Sequence, residues 1–243
     1  MDREKFYAAV RTTLFDGRLS DEQVKGMEPL IDECVKHVED VRQAAYILGG
    51  VYHETGRRMV PVREGFATSD AGARAAVAKL AKKRGAASAV AKYANVAGPY
   101  GQVYYGRGRI QITWLENYER LQKRFGRAFV RQPDLLLDSA VDAEVAVIGH
   151  LEGIWTGKKL SDYITGSKAD YYGARRVVNG TDKAAEIAVY AKSFEAALRT
   201  AGYAVAPPVV APEPKPATAE APAAKSAWAV IFELLIKVLR GGK

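Results

Sequence analysis

Apolar positions recur at intervals of three and four along most of the first two hundred residues. From Asp40 to Thr55 they fall at Val41, Ala44, Ala45, Ile47, Leu48, Val51 and Tyr52, which lie on one face of a helix that Gly56 ends. Ser20, followed three residues later by Gln23, reads as a capping box opening a helix toward His37. The alanine-rich, basic stretch from Asp70 to Arg84 predicts a helix on an outer lobe. Helical spacing returns from Trp114 to Phe125, from Ser139 to Trp155 behind an Asp138 cap, and from Asp182 to Ala201. Between Gln102 and Thr113 glycine alternates with β-branched and aromatic residues, which predicts a short hairpin or extended stretch. The pattern is that of a mainly α domain with a small β-hairpin element.

Past Tyr203 the pattern breaks. Six of the ten prolines lie between Pro207 and Pro222, in a stretch without aromatics, so residues 204–225 read as a Pro/Ala-rich linker behind a body at 1–203. Residues 226–243 form a separate apolar and basic segment. As a helix, Ala227 to Leu239 would carry Glu233, Lys237 and Arg240 on a narrow stripe and Trp228, Ile231, Phe232, Leu235, Val238 and Leu239 around much of the rest. That is too short to span a bilayer but suits an amphipathic helix lying in its interface. An anionic membrane or lipopolysaccharide is the expected partner of Ala227 to Arg240; packing on the body or self-association is the alternative.

Composition narrows the function classes. With 48% hydrophobic residues the chain can fill a core, and 36 basic against 28 acidic side chains give a formal charge of +8, which favours an anionic partner. Helix-turn-helix, paired Cys/His and aromatic strand signatures of nucleic-acid modules are not evident. Cys34 is the single cysteine, so no internal disulfide can form. His37, His53 and His150 lie on separate segments without metal-ligand spacing, and no phosphate loop, dinucleotide fingerprint or G-x-S-x-G elbow occurs. No metal and no cofactor are expected. The N-terminal stretch lacks a signal-peptide core, which predicts cytoplasmic synthesis without a leader. A monomer is expected.

The chemistry-bearing residues concentrate in two stretches. Glu54 falls at a helix C-terminus among apolar neighbours, a setting that favours the neutral carboxyl and suits a general acid. Glu64 follows Arg63 in a wetter loop, which favours the ionised form and suits a general base. Two such carboxyls are what glycosidic hydrolysis needs, although both also fit ordinary surface acids. If residues 109–113 are extended, Arg109, Gln111 and Thr113 share one face, opposite Ile110 and Ile112. Gln111 could then bind a sugar and Thr113 hold a water, with Asn117 one turn further on; a solvent-facing hairpin is the alternative.

The residues His53-Glu-Thr-Gly56, Pro61-Val-Arg-Glu64, Tyr104 to Trp114 and Arg175-Arg-Val-Val-Asn-Gly180 together resemble the lysozyme-like branch of glycoside hydrolase family 19, the chitinase class that includes many bacteriophage endolysins. The similarity runs from Gln43 to Gly180. It implies a lysozyme-like, two-lobed helical domain and an inverting hydrolase. Glu54 would be the general acid, Glu64 the carboxylate that activates water and Thr113 the hydroxyl that positions it. Gln111 and Asn117 would contact substrate, and Arg176 and Asn179 would form part of the cleft floor. Thr113 stands where the chitinase branch usually has serine, and Arg109 where it has proline or an apolar residue. Both departures point to a more basic cleft for peptidoglycan, cut between N-acetylmuramic acid and N-acetylglucosamine in the cell wall after release from the cytoplasm. Chitin hydrolysis, and a non-enzymatic membrane-disrupting role for the tail, are the alternatives.

Overall fold

A computed structural model describes residues 1–94 and 96–204. The linker and the tail helix expected at 204–225 and 226–243 fall, from residue 205 on, outside the described residues. These residues belong to one compact unit, Met1–Pro207. Helix α1 (Arg3–Thr13) was not anticipated; Asp2 caps it by accepting from the Lys5 N–H. The capping box of Ser20 and Gln23 opens α2 (Asp21–His37) as expected. Asp40 caps α3 (Val41–Glu54), and Ser69 caps α4 (Asp70–Arg84). The short α5 (Ala89–Ala94), then α6 (Leu115–Phe125), α7 (Ser139–Glu152) behind the Asp138 cap, and α8 (Ala184–Thr200) complete the described helices. Gly153 ends α7 in the left-handed region, three residues short of the expected Trp155.

The centre of the core is α3. Its sequence predicts one inward face, yet every residue from Ala44 to Tyr52 is buried, because α8 covers the side left open by the rest. Tyr52 packs edge-on against Tyr190 and Phe194 of α8, at 4.8 Å and 6.0 Å between centroids. Fully burying Ile47, Leu48 and Val51 contributes about 1.5–3 kcal/mol each. Cys34 is buried in the same core, as expected of a structural thiol. A second, smaller apolar cluster joins Ala73, Val77 and Ala81 of α4 to Val90 of α5 and to Val103 and Tyr105. The mainly helical architecture with a minor β component is therefore present, with two apolar cores of unequal size.

The β structure differs from the expected hairpin. Strand β1 (Val62–Arg63) pairs antiparallel with β2 (Arg107–Gly108), in the register Val62 to Gly108, and a bridge joins Arg107 to Ile112. A separate antiparallel pair joins β3 (Ile164–Thr165) to β4 (Lys168–Ala169). Residues 109–113 are not extended: the chain turns through Gly108 at φ 82° and Gln111 at φ 52°. Gly108 is required twice over, since a Cβ there would also lie 2.2 Å from Asp142 Oδ1.

This turn sends Arg109 inward rather than onto the face of Gln111 and Thr113. Its side chain is fully buried, with Nη1 2.8 Å from the equally buried Asp142 Oδ2. Arg109 Nε donates to the Met59 carbonyl, Nη2 to the Gly26 carbonyl and the Ser139 hydroxyl, and Nη1 also to the Ser139 carbonyl. One guanidinium thus joins α2, the loop after α3, and α7. Arg107, also buried, ties β2 to Asp134 and Asp70 and lies over the Tyr105 ring. Among the described residues no helix is long and apolar enough to cross a membrane, and no cluster of His, Cys, Asp and Glu is arranged to hold a metal.

Candidate active site

The end of α3 sets the first carboxylate. Thr55 is fully buried, donates to the Val51 carbonyl and accepts from the Met59 N–H, so the loop folds back on the helix at once. Gly56, Arg57 and Met59 all take positive φ to do this. The two non-glycine residues are held there: Arg57 donates to the Leu14 carbonyl and to Asp16, and the Met59 carbonyl accepts from buried Arg109. Glu54 stays half-buried at the last helical position.

Its surroundings are not the apolar ones the sequence suggests. Arg175 Nη1 lies 2.7 Å from Glu54 Oε1, and both side chains are largely shielded from solvent. Arg175 sits on a one-turn 3-10 helix (Gly173–Val177), where its Nε also donates to the Asp182 carbonyl. The arginine pair was read as contributing Arg176. That side chain is exposed and does not line the cleft, although its carbonyl accepts from the Thr156 hydroxyl. Neither arginine is among the residues lining the cleft; Arg175 reaches the site through its ion pair with Glu54.

Glu54 lines a cleft of about 230 Å³ with Gln111, Thr113, Trp114, Asn117, Trp155 and Asn179. Four of the expected site residues, Gln111, Thr113, Asn117 and Asn179, therefore meet Glu54 in one cavity. The Gln111 amide donates to the Val62 and Gly108 carbonyls, each at 3.0 Å, which leaves its oxygen as the group for a ligand. Asn117 Nδ2 donates to the Thr113 carbonyl at 2.8 Å, and the Thr113 hydroxyl to the Gln111 carbonyl at 3.1 Å. These side chains brace one another along the wall.

Glu64 stands beside this cleft rather than among its lining residues. It opens a one-turn 3-10 helix (Glu64–Phe66) after β1, and its N–H donates to the Gly106 carbonyl at 2.7 Å. The Gly106 N–H returns a bond to Glu64 Oε2 at 2.8 Å, while the Tyr93 hydroxyl donates to Oε1 at 2.6 Å. Gly106 in turn borders Gln111, whose side-chain oxygen would lie 2.9 Å from a Cβ placed there. Gly106 and Gln111 thus link Glu64 to the cleft that holds Glu54.

The glycoside hydrolase family 19 model, described as class I chitinase, matches residues 37–161, just over half of the chain, and that span holds both glutamates and the cleft wall. This chain belongs to glycoside hydrolase family 19. No curated protein matches it. Among solved structures it is similar to chitinase C from Streptomyces griseus HUT6037, at 19% identity over 84% of this chain and 77% of the other, with a TM-score of 0.49. A mutant of chitinase C is similar at 18% identity over 85% and 95%, TM-score 0.47. A bacterial family 19 chitinase is similar at 19% identity over 84% and 95%, TM-score 0.43.

Membership makes the chain a glycoside hydrolase, and it sharpens what the sequence missed. Arg175 enters the sequence reading only as the neighbour of Arg176, and Trp114 and Trp155 carry no role there, yet the first pairs with Glu54 and the other two line its cleft. The first two lie inside the stretches that carry the family resemblance, so the signal was present and the geometry was not. The basic cleft inferred from Arg109 is corrected as well: that guanidinium is sealed against Asp142 and presents no charge to a substrate.

Proposed function

We propose that the chain hydrolyses β-1,4 bonds between amino sugars, with Glu54 as general acid and Glu64 as general base. The observation that carries this reading is the meeting of Glu54 with Gln111, Thr113, Asn117 and Asn179 in one cleft, beside a second carboxylate anchored at Gly106. Glu54 gives its proton to the leaving oxygen as the bond from that oxygen to C1 breaks. A water oxygen bonds to C1 from the opposite face and its proton passes to Glu64. The product is inverted, and such a reaction needs carboxyls about 6.5–9.5 Å apart to admit the water. Arg175, holding Glu54 Oε1, orients the acid, and Thr113 positions the water. No metal or cofactor enters the scheme.

The substrate we infer is peptidoglycan, cut between N-acetylmuramic acid and N-acetylglucosamine in the manner of an endolysin. Two features support it. The net charge of +8 suits an anionic wall. Beyond Trp114 lies a second, mostly apolar hollow of about 330 Å³, lined among others by Tyr93, Val96, Pro99 and Tyr104, with room for a lactyl or peptide substituent. The segment from Ala227 to Arg240 adds, on its composition, a lipid-seeking element that would bring the enzyme to an anionic membrane or lipopolysaccharide beside the wall. Chitin is the second reading, favoured by the class I chitinase family match.

The test is reducing-end release from purified peptidoglycan and from chitin. The unaltered chain is expected to release ends from peptidoglycan, and Glu54→Gln and Glu64→Gln to release almost none while folding normally. Release from chitin alone would move the substrate to the second reading. Full activity of Glu54→Gln would remove the acid assignment.

A further inference from the structure

The smaller apolar cluster of α4 and α5 reaches the site through one side chain. Tyr93, next to the end of α5, donates its hydroxyl to Glu64 Oε1 at 2.6 Å, while the Gly106 N–H donates to Oε2 at 2.8 Å. Among the described residues each carboxylate oxygen thus accepts one bond, from donors on separate segments, which fixes the plane of the carboxylate. The Tyr93 ring meets Trp114 edge to face, with centroids 5.2 Å apart and planes at 80°, and Trp114 lines the Glu54 cleft. Burial, and then the neighbouring Glu64 carboxylate, push the Tyr93 hydroxyl well above the usual phenol range, so it remains a donor at any working pH.

We propose that Tyr93 is a positioning residue of the hydrolysis, holding the Glu64 carboxylate in a fixed plane while it takes the proton of the attacking water. This rests on the proposed role of Glu64. The donor comes from the outer lobe rather than from the elements that carry the two carboxylates. Tyr93 touches no bond that forms or breaks: the water proton moves to a Glu64 oxygen, and the tyrosine proton stays on its own oxygen throughout.

Tyr93→Phe removes the donor and keeps the ring against Trp114. The experiment measures kcat, KM and thermal midpoint for the full chain, its Tyr93→Phe variant and Glu64→Gln, on whichever amino-sugar polymer the unaltered chain cleaves. The expected result is a kcat about 10- to 100-fold lower in Tyr93→Phe, as for loss of a bond to a charged group, with KM within about twofold and the midpoint nearly unchanged. An unchanged kcat in Tyr93→Phe, with Glu64→Gln inactive, overturns the proposal and leaves the reading of Glu64 standing. A fall in kcat joined by a rise in KM and a lower midpoint assigns Tyr93 a packing role and overturns it too. An active Glu64→Gln removes the reading of Glu64 and the proposal with it.

Discussion

Arg109 and Asp142 form an ion pair from which solvent is excluded, Nη1 to Oδ2 at 2.8 Å, with both side chains fully buried. Asp142 also accepts from the Arg109 backbone N–H through both oxygens. Burial outweighs the opposing pull of the Arg109 guanidinium and leaves the Asp142 carboxyl raised to about 6, so at neutral pH the pair is charged. Since that guanidinium also holds Gly26, Met59 and Ser139, it fastens the loop between the two candidate carboxylates to the rest of the core.

Removing one member of this pair strands the other charge in the core. Asp142→Ala is therefore expected to destabilise by about 3–5 kcal/mol, read from urea unfolding midpoints. A loss below about 1 kcal/mol would show that water reaches Arg109. Arg109→Met with Asp142→Leu should recover only part of the loss: the apolar pair leaves no unpaired charge behind, but the Gly26, Met59 and Ser139 carbonyls lose their donor.

Arg175 makes a different prediction, on catalysis. Its guanidinium fixes Glu54 Oε1 at 2.7 Å and is anchored in turn at the Asp182 carbonyl. Arg175→Met is expected to lower kcat by about 100-fold, and Arg175→Lys by less, because lysine keeps the charge but not the two-point geometry. Equal activity of the methionine variant and the unaltered chain would deny the arginine any part in orienting the acid.

What the sequence shows and what it hides follow from length scale. Caps and helical periodicity are local, so Ser20, Asp40 and Asp138 mark helix starts that the structure keeps. Glu54, Gln111, Thr113 and Asn179 were legible because the stretches holding them resemble a known family, and Asn117 because it stands one turn on from Thr113; all five share one cavity. Arg109 was misplaced because alternation was assumed where Gly108 and Gln111 turn the chain through positive φ. Tyr93 carried no signal, since its value lies in a contact with Glu64 across 29 residues. Helix α1 was missed for want of a clean apolar stripe: of its eleven residues only Phe6 and Val10 are buried.

His150 gives the fold a pH dependence of known sign. It is fully buried, and its Nδ1 lies 2.6 Å from the Ala146 carbonyl, to which only an N–H can donate. Burial lowers it from 6.5 to about 4. The unfolded chain thus takes up a proton near pH 6.5 that the folded chain refuses until about pH 4. The stability this group contributes is present above 6.5 and lost as the pH falls through that window, by up to about 3 kcal/mol. His150→Phe cannot lose it. The thermal midpoint of the unaltered chain should fall relative to that variant between pH 6.5 and 4, a comparison in which Asp142 cancels. A constant difference across the window would mean that the histidine is already charged in the fold.

Trp155 tests the far wall of the cleft. Its indole packs so closely on α7 that a Cβ at Gly149 would lie 2.1 Å from the ring. Its Nε1 is buried without a partner among the described residues, while other atoms of the side chain line the cleft with Glu54, Asn117 and Asn179. A buried donor left unpaired costs about 1–3 kcal/mol, so what the indole offers a sugar in the cleft is its aromatic surface rather than its N–H. Trp155→Phe removes the donor and keeps an aromatic face. KM is expected to rise about 3- to 10-fold with kcat nearly constant, and the thermal midpoint of the free protein should not fall. An unchanged KM would show that the substrate makes no use of the larger indole surface and leave Trp155 as packing over Gly149.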